Sequence, residues 1–297
     1  MTGPDFERWS RAGLAQVEEA LGRWVPAQAP GGLGEAMRYG VLDGGKRLRA
    51  LLVLAACEAV QGSAAAALRA ACAVELIHAY SLIHDDMPCM DNDVLRRGKP
   101  TVHVRYGEAL AMLAGDAMQA LAFELLTEDA DLPPVLQARL CALLARASGH
   151  DGMAGGQAID LASVGLNLSE AGLRDMHRRK TGALLQASVD MGAACGREAV
   201  PASSLEALSA FGAALGLAFQ VVDDILDVTQ DSAVLGKTAG KDEEHDKPTY
   251  VSVLGLEGAR SMALRLRDEA QAALARSGLG QTAALAMLAD RVVDRQH

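Results

Sequence analysis

The amino-acid sequence predicts an all-α fold, and three observations support that prediction. Ala and Leu dominate the 297 residues, of which 50% are hydrophobic and only 3% aromatic. Runs rich in β-branched or aromatic residues, which favour strands, are few. Apolar positions recur at three- and four-residue spacing along nearly the whole chain, which is the pattern of amphipathic helices.

Clusters of Gly, Pro and Asp divide this pattern into separate helices. They include PAQAPGG, DLPP, GREAVPASS and GLGQ, where the chain is expected to turn. The stretches 48–60 and 70–83 are apolar nearly all round, so other helices should enclose them. No repeat or long linker interrupts the chain, and we therefore expect one helical-bundle domain over residues 1–297. The predicted helices cover residues 5–24, 34–40, 45–60, 64–86, 106–127, 133–149, 153–163, 169–195, 204–229, 248–255, 257–275 and 280–294.

The charge balance excludes some partners and compartments. A net charge of −10 with a pI of about 5.2 argues against nucleic acid, whose phosphates favour a basic protein surface. The longest apolar run, Ala50–Val60, is far shorter than the ~20 residues of a membrane helix, so no membrane insertion is expected. The N-terminal MTGPDFERWS does not resemble a secretory signal. The five cysteines lack CxxC pairing, which indicates reduced thiols in a cytoplasmic protein.

Common nucleotide and calcium motifs do not fit. GLGEAM lacks the third glycine and the preceding strand of a dinucleotide-binding loop, and GKTAGKD has the wrong glycine spacing for a P-loop. In the aspartate-rich stretch near residue 90, Val94 and Leu95 stand where an EF-hand requires a ligand and a glycine. The kinase, NAD-enzyme and calcium-sensor interpretations are therefore excluded.

The stretch LIHDDMPCMDNDVLRR places four aspartates directly after an apolar helix. Because Pro88 disfavours helical geometry at the preceding residue, the helix should end near Asp86. Asp85 then lies at the helix C-terminus, and Asp91 and Asp93 follow in the next turn. The partial negative charge of a helix C-terminus makes clustered carboxylates unfavourable there unless a cation binds. Oxygen ligands without His or Cys indicate Mg²⁺, completed by water and substrate phosphates.

The stretch FQVVDDILDVTQD forms a second acidic cluster without an intervening proline. Asp223 and Asp227 are four residues apart and therefore share a helix face, with Gln220 one turn earlier on the same face. Asp224 points about 100° away from that face. It is therefore expected to support the metal ligands and not to bind the metal itself. One acidic cluster could be a solvated helix end, but two clusters that each end an apolar helix indicate a function.

Lysines and arginines accompany both acidic clusters. GGKRLR places Lys46 and Arg49 on the first turn of a helix, and RRG places Arg96 and Arg97 directly after the first cluster. Carboxylates that bind Mg²⁺ together with such cations suit a polyanion, and diphosphate fits that description. The apolar helical interior suits a hydrocarbon tail attached to the diphosphate. Further candidates are His78, Lys180 and Thr181, and Lys237, Lys241 and Lys247 of GKTAGKDEEHDKPTY.

Together these motifs resemble the short-chain trans-prenyl diphosphate synthases, and among them the bacterial farnesyl diphosphate synthases. The resemblance runs from GGKRLR through ELIHAYSLIHDDMPCMDND, GGQAIDL, KTGALL and FQVVDDILD to GKTAGKDEEHDKPTYV. The paired motifs DDxxxxD and DDxxD, in this order, are specific to that family. The resemblance implies an all-α bundle around a central cavity, usually dimeric. Asn92 and Cys89 depart from residues common in relatives, which implies altered tuning and not lost activity.

The resemblance also implies a role for each matching residue. The implied ligands of three Mg²⁺ ions, for which Mn²⁺ could substitute, are Asp85, Asp91, Asp223 and Asp227. The implied contacts of the allylic diphosphate are Arg96, Lys180, Thr181, Gln220, Lys237 and Lys247. The implied contacts of isopentenyl diphosphate are Lys46, Arg49, His78 and Arg97. Thr181, Gln220 and the Lys180 carbonyl would stabilise an allylic cation, which the isopentenyl double bond attacks before a proton is lost.

Product length is expected to depend on Tyr80 and Ser81. Tyr80 precedes Asp85 by five residues, which is about 7.5 Å along a helix. In bacterial relatives a bulky aromatic residue at this position closes the floor of the cavity and stops growth at C15. The resemblance therefore implies that isopentenyl diphosphate and dimethylallyl or geranyl diphosphate yield farnesyl diphosphate and pyrophosphate. Ser81 leaves the preceding turn open for the growing tail.

Three alternatives remain open on the sequence. A geranyl or geranylgeranyl diphosphate synthase of the same family would differ in product length alone. A terpene cyclase also uses DDxxD on a helical bundle, but it binds no isopentenyl diphosphate and leaves GGKRLR unexplained. A non-catalytic synthase subunit commonly lacks one aspartate motif, whereas both are intact here.

Overall fold

The all-α prediction is confirmed by the structure, a computed structural model that describes residues 1–42, 44–129, 131–166, 168–229 and 249–295. Its strands in those ranges are Leu95–Arg96 and Lys99–Pro100, an antiparallel pair directly after the first aspartate cluster. Short 3₁₀ and π-helical turns cover Pro30–Gly32 and Arg178–Gly182. The helices are α1 (Gly3–Trp24), α2 (Leu33–Val41), α3 (Leu48–Ala59), α4 (Ala64–Asp85), α5 (Val102–Tyr106), α6 (Glu108–Thr127), α7 (Pro134–Ser148), α8 (Met153–Ala162), α9 (Glu170–His177), α10 (Ala183–Ala194), α11 (Ala202–Thr229), α12 (Tyr250–Arg276) and α13 (Ala283–Val293).

Local capping signals account for several helix ends. At the N-terminus of α1, Thr2 and Asp5 form a reciprocal capping box, with a proline in the first turn. Ser63 accepts a hydrogen bond from the Ala66 amide at the start of α4, and Ser169 caps α9 in the same way. These side chains satisfy amide groups that have no partner within the helix.

The start of α3 differs from the prediction. The helix begins at Leu48 and not at residue 45, because Gly44, Gly45 and Arg47 all have positive φ. Positive φ is incompatible with a right-handed helix and is unusual for a non-glycine residue such as Arg47. The GGKR stretch is therefore a shaped loop that leads into the helix.

Glycines account for two other helix boundaries. The predicted helix 106–127 is divided at Gly107, whose φ of 87° separates α5 from α6, so the sequence pattern missed this break. The break predicted between helices 248–255 and 257–275 coincides with a kink in α12 at Gly255, which has a non-helical φ of 70°.

The hydrophobic interior is organised around α4. One cluster of buried side chains joins α4 to α1, α2, α6, α7 and α10. A second joins α3, α10, α11 and α13, and a third joins α9, α11 and α12. Leu52 in α3 and Leu76 and Ile77 in α4 are fully buried, which confirms that both all-apolar stretches are enclosed. The single-domain assignment for 1–297 stays a prediction.

Three described helices, α4, α6 and α11, are long and apolar enough to cross a membrane, judged by length and composition alone. Their most apolar windows have mean hydropathies of 1.4, 1.4 and 1.6, with 67%, 39% and 56% of each window buried in the protein. The argument from Ala50–Val60 was wrong because it counted only uninterrupted apolar residues. Isolated polar residues, such as Glu75 in α4, interrupt a run without lowering the average much. The absence of membrane insertion stays a prediction.

Candidate active site

The first aspartate cluster folds back onto the end of α4. The Asp91 amide donates to the Asp85 carbonyl at 2.9 Å, and the Asp93 amide donates to the Asp86 carbonyl at 3.1 Å. Between them Asn92 adopts a left-handed conformation with φ of 51°, which asparagine tolerates better than most residues. The turn therefore brings the later aspartates beside the earlier pair, as the sequence predicted.

Asp85 and Asp86 have different surroundings despite being adjacent. The Asp86 side chain is buried, and Arg96 donates to it from Nε at 2.9 Å and from Nη2 at 2.6 Å. Burial raises the pKa of Asp85 to about 6, with the nearby charges of Lys180 opposing and of Asp91 adding to the rise. Arg96 was predicted to contact the allylic diphosphate. In this structure its guanidinium is hydrogen-bonded to Asp86.

The second cluster lies on α11, where its aspartates separate in the same way. Asp224 is buried and accepts from the Gln220 Nε2 at 2.8 Å and from the Tyr250 amide at 2.7 Å. Thr181 Oγ1 donates to Gln220 Oε1 at 2.9 Å. Asp224 points away from the helix face of Asp223 and Asp227, as the helical spacing predicted. Its hydrogen bond fixes the side-chain amide of Gln220. Asp227 is likewise buried.

Asp223 carries an ion pair that the sequence did not predict. Arg295 Nη2 lies 2.5 Å from Asp223 Oδ1, and the guanidinium also stacks on Phe219 with its central carbon 4.8 Å from the ring centre. The positive charge of Arg295 lies close enough to Lys46 to lower the pKa of that lysine, although burial is the larger cause. No local motif surrounds Arg295 near the chain terminus, so the sequence offered no signal for this contact.

Lys180 lies in the π-helical turn between α9 and α10. Turns of this kind are rare and occur frequently at functional sites. Its Nζ lies 2.5 Å from Asp160 Oδ2, and Asp160 is buried on α8. Gly156 allows this pairing, because a Cβ there would lie 2.5 Å from the Lys180 Cα and overlap its amide nitrogen. Gly156 and Asp160 both belong to the stretch GGQAIDL. The structure shows their roles, because Gly156 leaves room for the main chain at Lys180 and Asp160 pairs with the Lys180 side chain.

The resemblance assigned four residues to isopentenyl diphosphate, namely Lys46, Arg49, His78 and Arg97. Arg49 and Arg97 lie near His78, and Lys46 and Arg49 lie near Asp223. Burial lowers the pKa of His78 well below its usual value, and the charges of Arg49 and Arg97 lower it further. Arg97 Nη1 donates to the Gly44 carbonyl. Such a concentration of positive charge around a neutral imidazole is a suitable site for an anion.

Arg47 shapes this cationic group, although the sequence did not single it out. The side chain is buried, with Nε donating to Glu18 at 2.7 Å and Nη1 donating to Glu75 at 3.2 Å. Glu75 in turn accepts from the Ala50 amide at 3.1 Å, so a residue of α4 caps the N-terminus of α3. Arg47 therefore holds the GGKR loop in its left-handed conformation between α1 and α4.

The predicted chain-length residues lie on α4 one turn before the aspartates. Tyr80 is half-buried at the edge of the central hydrophobic cluster. Its ring meets that of His84 edge-on, with centroids 5.7 Å apart at an angle of 72°. Ser81 Oγ donates to the His78 carbonyl at 2.8 Å, so its small side chain turns back onto the helix.

Of two cavities among the described residues, the smaller contains predicted site residues and the larger does not. A small cavity of ≈ 40 Å³ is lined by Asp86, Arg96 and Arg97 together with residues of α2 and α4. A larger one of ≈ 750 Å³ lies between α1, α3 and the start of α4, and it contains none of the predicted site residues. The predicted contacts Lys237, Lys241 and Lys247 lie outside the described residues. Within those residues, no group of three His, Cys, Asp or Glu side chains is arranged to hold a metal ion.

The comparisons with known proteins decide the family. The family described as polyprenyl synthetase matches residues 31–277. The chain belongs to the polyprenyl synthetase family. It is accordingly a prenyltransferase of isoprenoid biosynthesis.

Relatives named for farnesyl and for geranylgeranyl products have nearly the same sequence identity to this prenyltransferase. It is 49% identical over 276 residues to a probable farnesyl diphosphate synthase of Bradyrhizobium diazoefficiens, covering 92% of this chain and 83% of that one. It is 48% identical over 299 residues to the chloroplastic heterodimeric geranylgeranyl pyrophosphate synthase large subunit 1 of Arabidopsis thaliana, covering 99% and 80%. Geranyltransferase of Helicobacter pylori, complexed with magnesium and isoprenyl diphosphate, matches with a TM-score of 0.85 at 34% identity over 99% and 98% of the chains.

Proposed function

We propose that this prenyltransferase condenses isopentenyl diphosphate with dimethylallyl and geranyl diphosphate and releases farnesyl diphosphate and pyrophosphate. The observation that supports it most is that a cationic group accompanies the two aspartate clusters. Asp85 lies near Asp91 and Lys180. Asp223 lies near Lys46 and Arg49, and Arg49 and Arg97 lie near His78. Two diphosphates bound in two ways require cations in addition to the metal-binding carboxylates, whereas a cyclase acting on one diphosphate does not.

The donor set of the aspartate clusters fits Mg²⁺. The predicted ligands supply only carboxylate oxygens, and burial raises the pKa of Asp85 to about 6 although the charges of Lys180 and Arg96 oppose the rise. Substrate phosphate oxygens and water are proposed to complete the coordination, as is usual for Mg²⁺ in proteins. When bound, Mg²⁺ acts as a Lewis acid that stabilises the charge on departing pyrophosphate. The proposed ligands of three ions are Asp85, Asp91, Asp223 and Asp227.

The protein itself stabilises the allylic cation through fixed dipoles. Asp224 and Thr181 hold both ends of the Gln220 amide, so its orientation does not have to change during the reaction. Preorganised groups of this kind are worth about 3–4 kcal/mol each in well-studied sites. The carbonyl of Lys180, placed in the π-helical turn, is the third such group. Pyrophosphate released beside these residues is the proposed acceptor of the proton.

The cationic group Lys46, Arg49, His78 and Arg97 is proposed to hold isopentenyl diphosphate by charge. His78 has a strongly lowered pKa and is therefore neutral at physiological pH, so it can donate one hydrogen bond without adding charge. Arg49 and Arg97 supply positive charge, and Arg47 keeps the loop that presents Lys46 in place.

The C15 product is proposed from Tyr80, whose half-buried ring lies in the central cluster below Asp85. The Arabidopsis thaliana relative named for a geranylgeranyl product, at 48% identity, favours C20 as the second candidate. We also propose a cytoplasmic homodimer that binds no nucleic acid. Exposed apolar residues on α6 and α7, among them Leu113 (54% exposed) and Val135 (82% exposed), support a subunit interface there.

The test is product analysis with radiolabelled isopentenyl diphosphate and Mg²⁺, using dimethylallyl and geranyl diphosphate as separate primers. Farnesyl diphosphate as the end product from both primers supports the proposal. A C20 end product would replace it with the second candidate. Turnover of a single prenyl diphosphate without isopentenyl diphosphate would indicate a cyclase. Inactivity of the purified chain alone would indicate a non-catalytic subunit.

A further inference from the structure

His84 lies on α4 between Tyr80 and helix α6. His84 and Tyr80 are four residues apart and so share a helix face, and their rings are in edge contact with centroids 5.7 Å apart. Edge contacts between aromatic rings are favourable and set the relative orientation of the rings. His84 directly precedes Asp85 and lies one helical turn after Tyr80. Its imidazole therefore contacts the Tyr80 ring on the side that faces the aspartate cluster.

The position of His84 is set by α6. Its Nε2 lies 3.1 Å from the Met112 carbonyl oxygen, and because a carbonyl only accepts, Nε2 carries the proton and donates. The ring also lies directly against Gly115 of α6. A Cβ at Gly115 would lie 2.6 Å from His84 Cδ2 and would overlap Nε2. The imidazole therefore occupies the space that any larger residue at 115 would need.

We infer that His84 is a positioning residue for product length, which holds the Tyr80 ring at the floor of the cavity and is itself held by Met112 and Gly115. The inference rests on the proposed function, in which Tyr80 stops chain growth. Tyr80 has two side-chain torsions, and His84 restricts them from one side. Without the imidazole, the phenol ring can turn toward the space beside Gly115, and the floor opens for a longer tail.

The first experiment compares the C20 to C15 product ratio of His84→Ala, Tyr80→Ala and the double variant. His84→Ala is expected to raise the ratio by about three- to tenfold, the change in population that loss of one aromatic edge contact allows. The double variant is expected to match Tyr80→Ala, because His84 acts only through Tyr80. His150→Ala, which removes a histidine with a 95% exposed side chain, is the matched control and should leave the ratio unchanged.

A second comparison uses Gly115→Ala. Its methyl group displaces the imidazole, so the product ratio is expected to change in the wild-type background. In the His84→Ala background the added methyl meets no ring, and Gly115→Ala is then expected to have no further effect. Circular dichroism and thermal unfolding confirm that each variant is folded. Should His84→Ala not fold, His84→Asn keeps a donor for the Met112 carbonyl but no ring, and it is expected to lengthen the products likewise.

The outcomes separate this inference from the proposed function. Unchanged products from His84→Ala, alongside longer products from Tyr80→Ala, would overturn the role of His84 and leave the floor assignment intact. Unchanged products from Tyr80→Ala would overturn the floor assignment itself. A double variant with longer products than Tyr80→Ala would mean that His84 limits length directly, which also contradicts the inference.

Discussion

The pairs Asp85–Asp86 and Asp223–Asp224 occupy different helices, yet the second member of each pair has the same task. Asp86 and Asp224 are both 2% exposed, and protein groups occupy their carboxylates. Asp86 is bound by Arg96, and Asp224 by the Gln220 side chain and the Tyr250 amide. The first members, Asp85 and Asp223, are half-buried. In each doubled aspartate the second carboxylate fixes the surrounding structure, and the first is the one proposed to bind metal.

The first members differ in how the protein balances their charge. Asp223 is paired with Arg295 at 2.5 Å. No side chain in the described ranges donates a hydrogen bond to the Asp85 carboxylate, and burial raises its pKa to about 6. In metal-free protein Asp223 therefore has a direct ion pair with an arginine distant in sequence, whereas the charges of Lys180 and Arg96 only partly offset the burial of Asp85. The difference teaches that identical motifs do not imply identical electrostatics.

The largest expected effect comes from removing either first member. Asp85→Ala and Asp223→Ala should each lower kcat/KM by about 10³-fold or more, because each removes a proposed ligand that the transition state requires. Steady-state assay with saturating Mg²⁺ measures the loss, and circular dichroism checks helical content. Glu257→Ala, at an exposed carboxylate of α12, is the control. Near-normal turnover in either variant would show that the pair does not bind the metal.

The second members should give smaller losses of activity. Asp86→Asn and Asp224→Asn remove partners that orient Arg96 and Gln220, and such substitutions typically cost about 10–100-fold. Each should also lower the free energy of unfolding by about 1–3 kcal/mol, since buried hydrogen bonds to Arg96 or to the Tyr250 amide are weakened. Denaturant titration alongside the assay distinguishes the two effects. If Asp86→Asn were as inactive as Asp85→Ala, the division of tasks within the first pair would be wrong.

Removal of Arg295 should make the second pair resemble the first. Arg295→Ala leaves Asp223 without its compensating charge and should lower the free energy of unfolding of metal-free protein by about 1–2 kcal/mol. In that background Asp223→Asn should be neutral or stabilising, whereas in the wild-type background it should destabilise. Thermal unfolding in a chelator measures both. Additive effects of the two substitutions would contradict the pairing.

The smallest effect is a pH-dependent gain in stability. A raised pKa means that ionised Asp85 destabilises the fold, a cost that is absent below about pH 4 and complete above about pH 6. Asp85→Asn should therefore raise the Tm of metal-free protein by about 2 °C at pH 7.5 and leave it unchanged at pH 4. Asp223→Asn, tested in parallel, should show no such rise. A lower Tm for Asp85→Asn at pH 7.5 would mean that its charge is compensated after all.

Residues whose role depends on local pattern could be predicted from the sequence. Helical periodicity located α4 and α11, and Pro88 correctly placed the end of α4 within one residue. The structure places Arg49 and Arg97 near His78, and Lys46 and Arg49 near Asp223. The assignment of these four residues to one diphosphate stays a prediction.

Pairings between distant residues could not be predicted. Asp223 and Arg295 are 72 positions apart, and Arg47 and Glu75 are 28 apart. Such contacts depend on how whole helices pack, and a single sequence carries no local signal for them. The left-handed conformation of Arg47 was missed for the same reason, since it is stabilised by Glu18 and Glu75 and not by the intrinsic preference of arginine.

The contact of Gly156 with the π-helical turn has a consequence for protein engineering. There the main chain of α8 touches the main chain at Lys180, so the distance between these segments does not depend on side chains. A side chain at position 156 would push the Lys180 main chain away, whereas side chains at other positions do not enter this contact. Variation in substrate size is therefore best sought among the side chains around the tail, such as those near Tyr80. A library that randomises position 156 should contain few active clones.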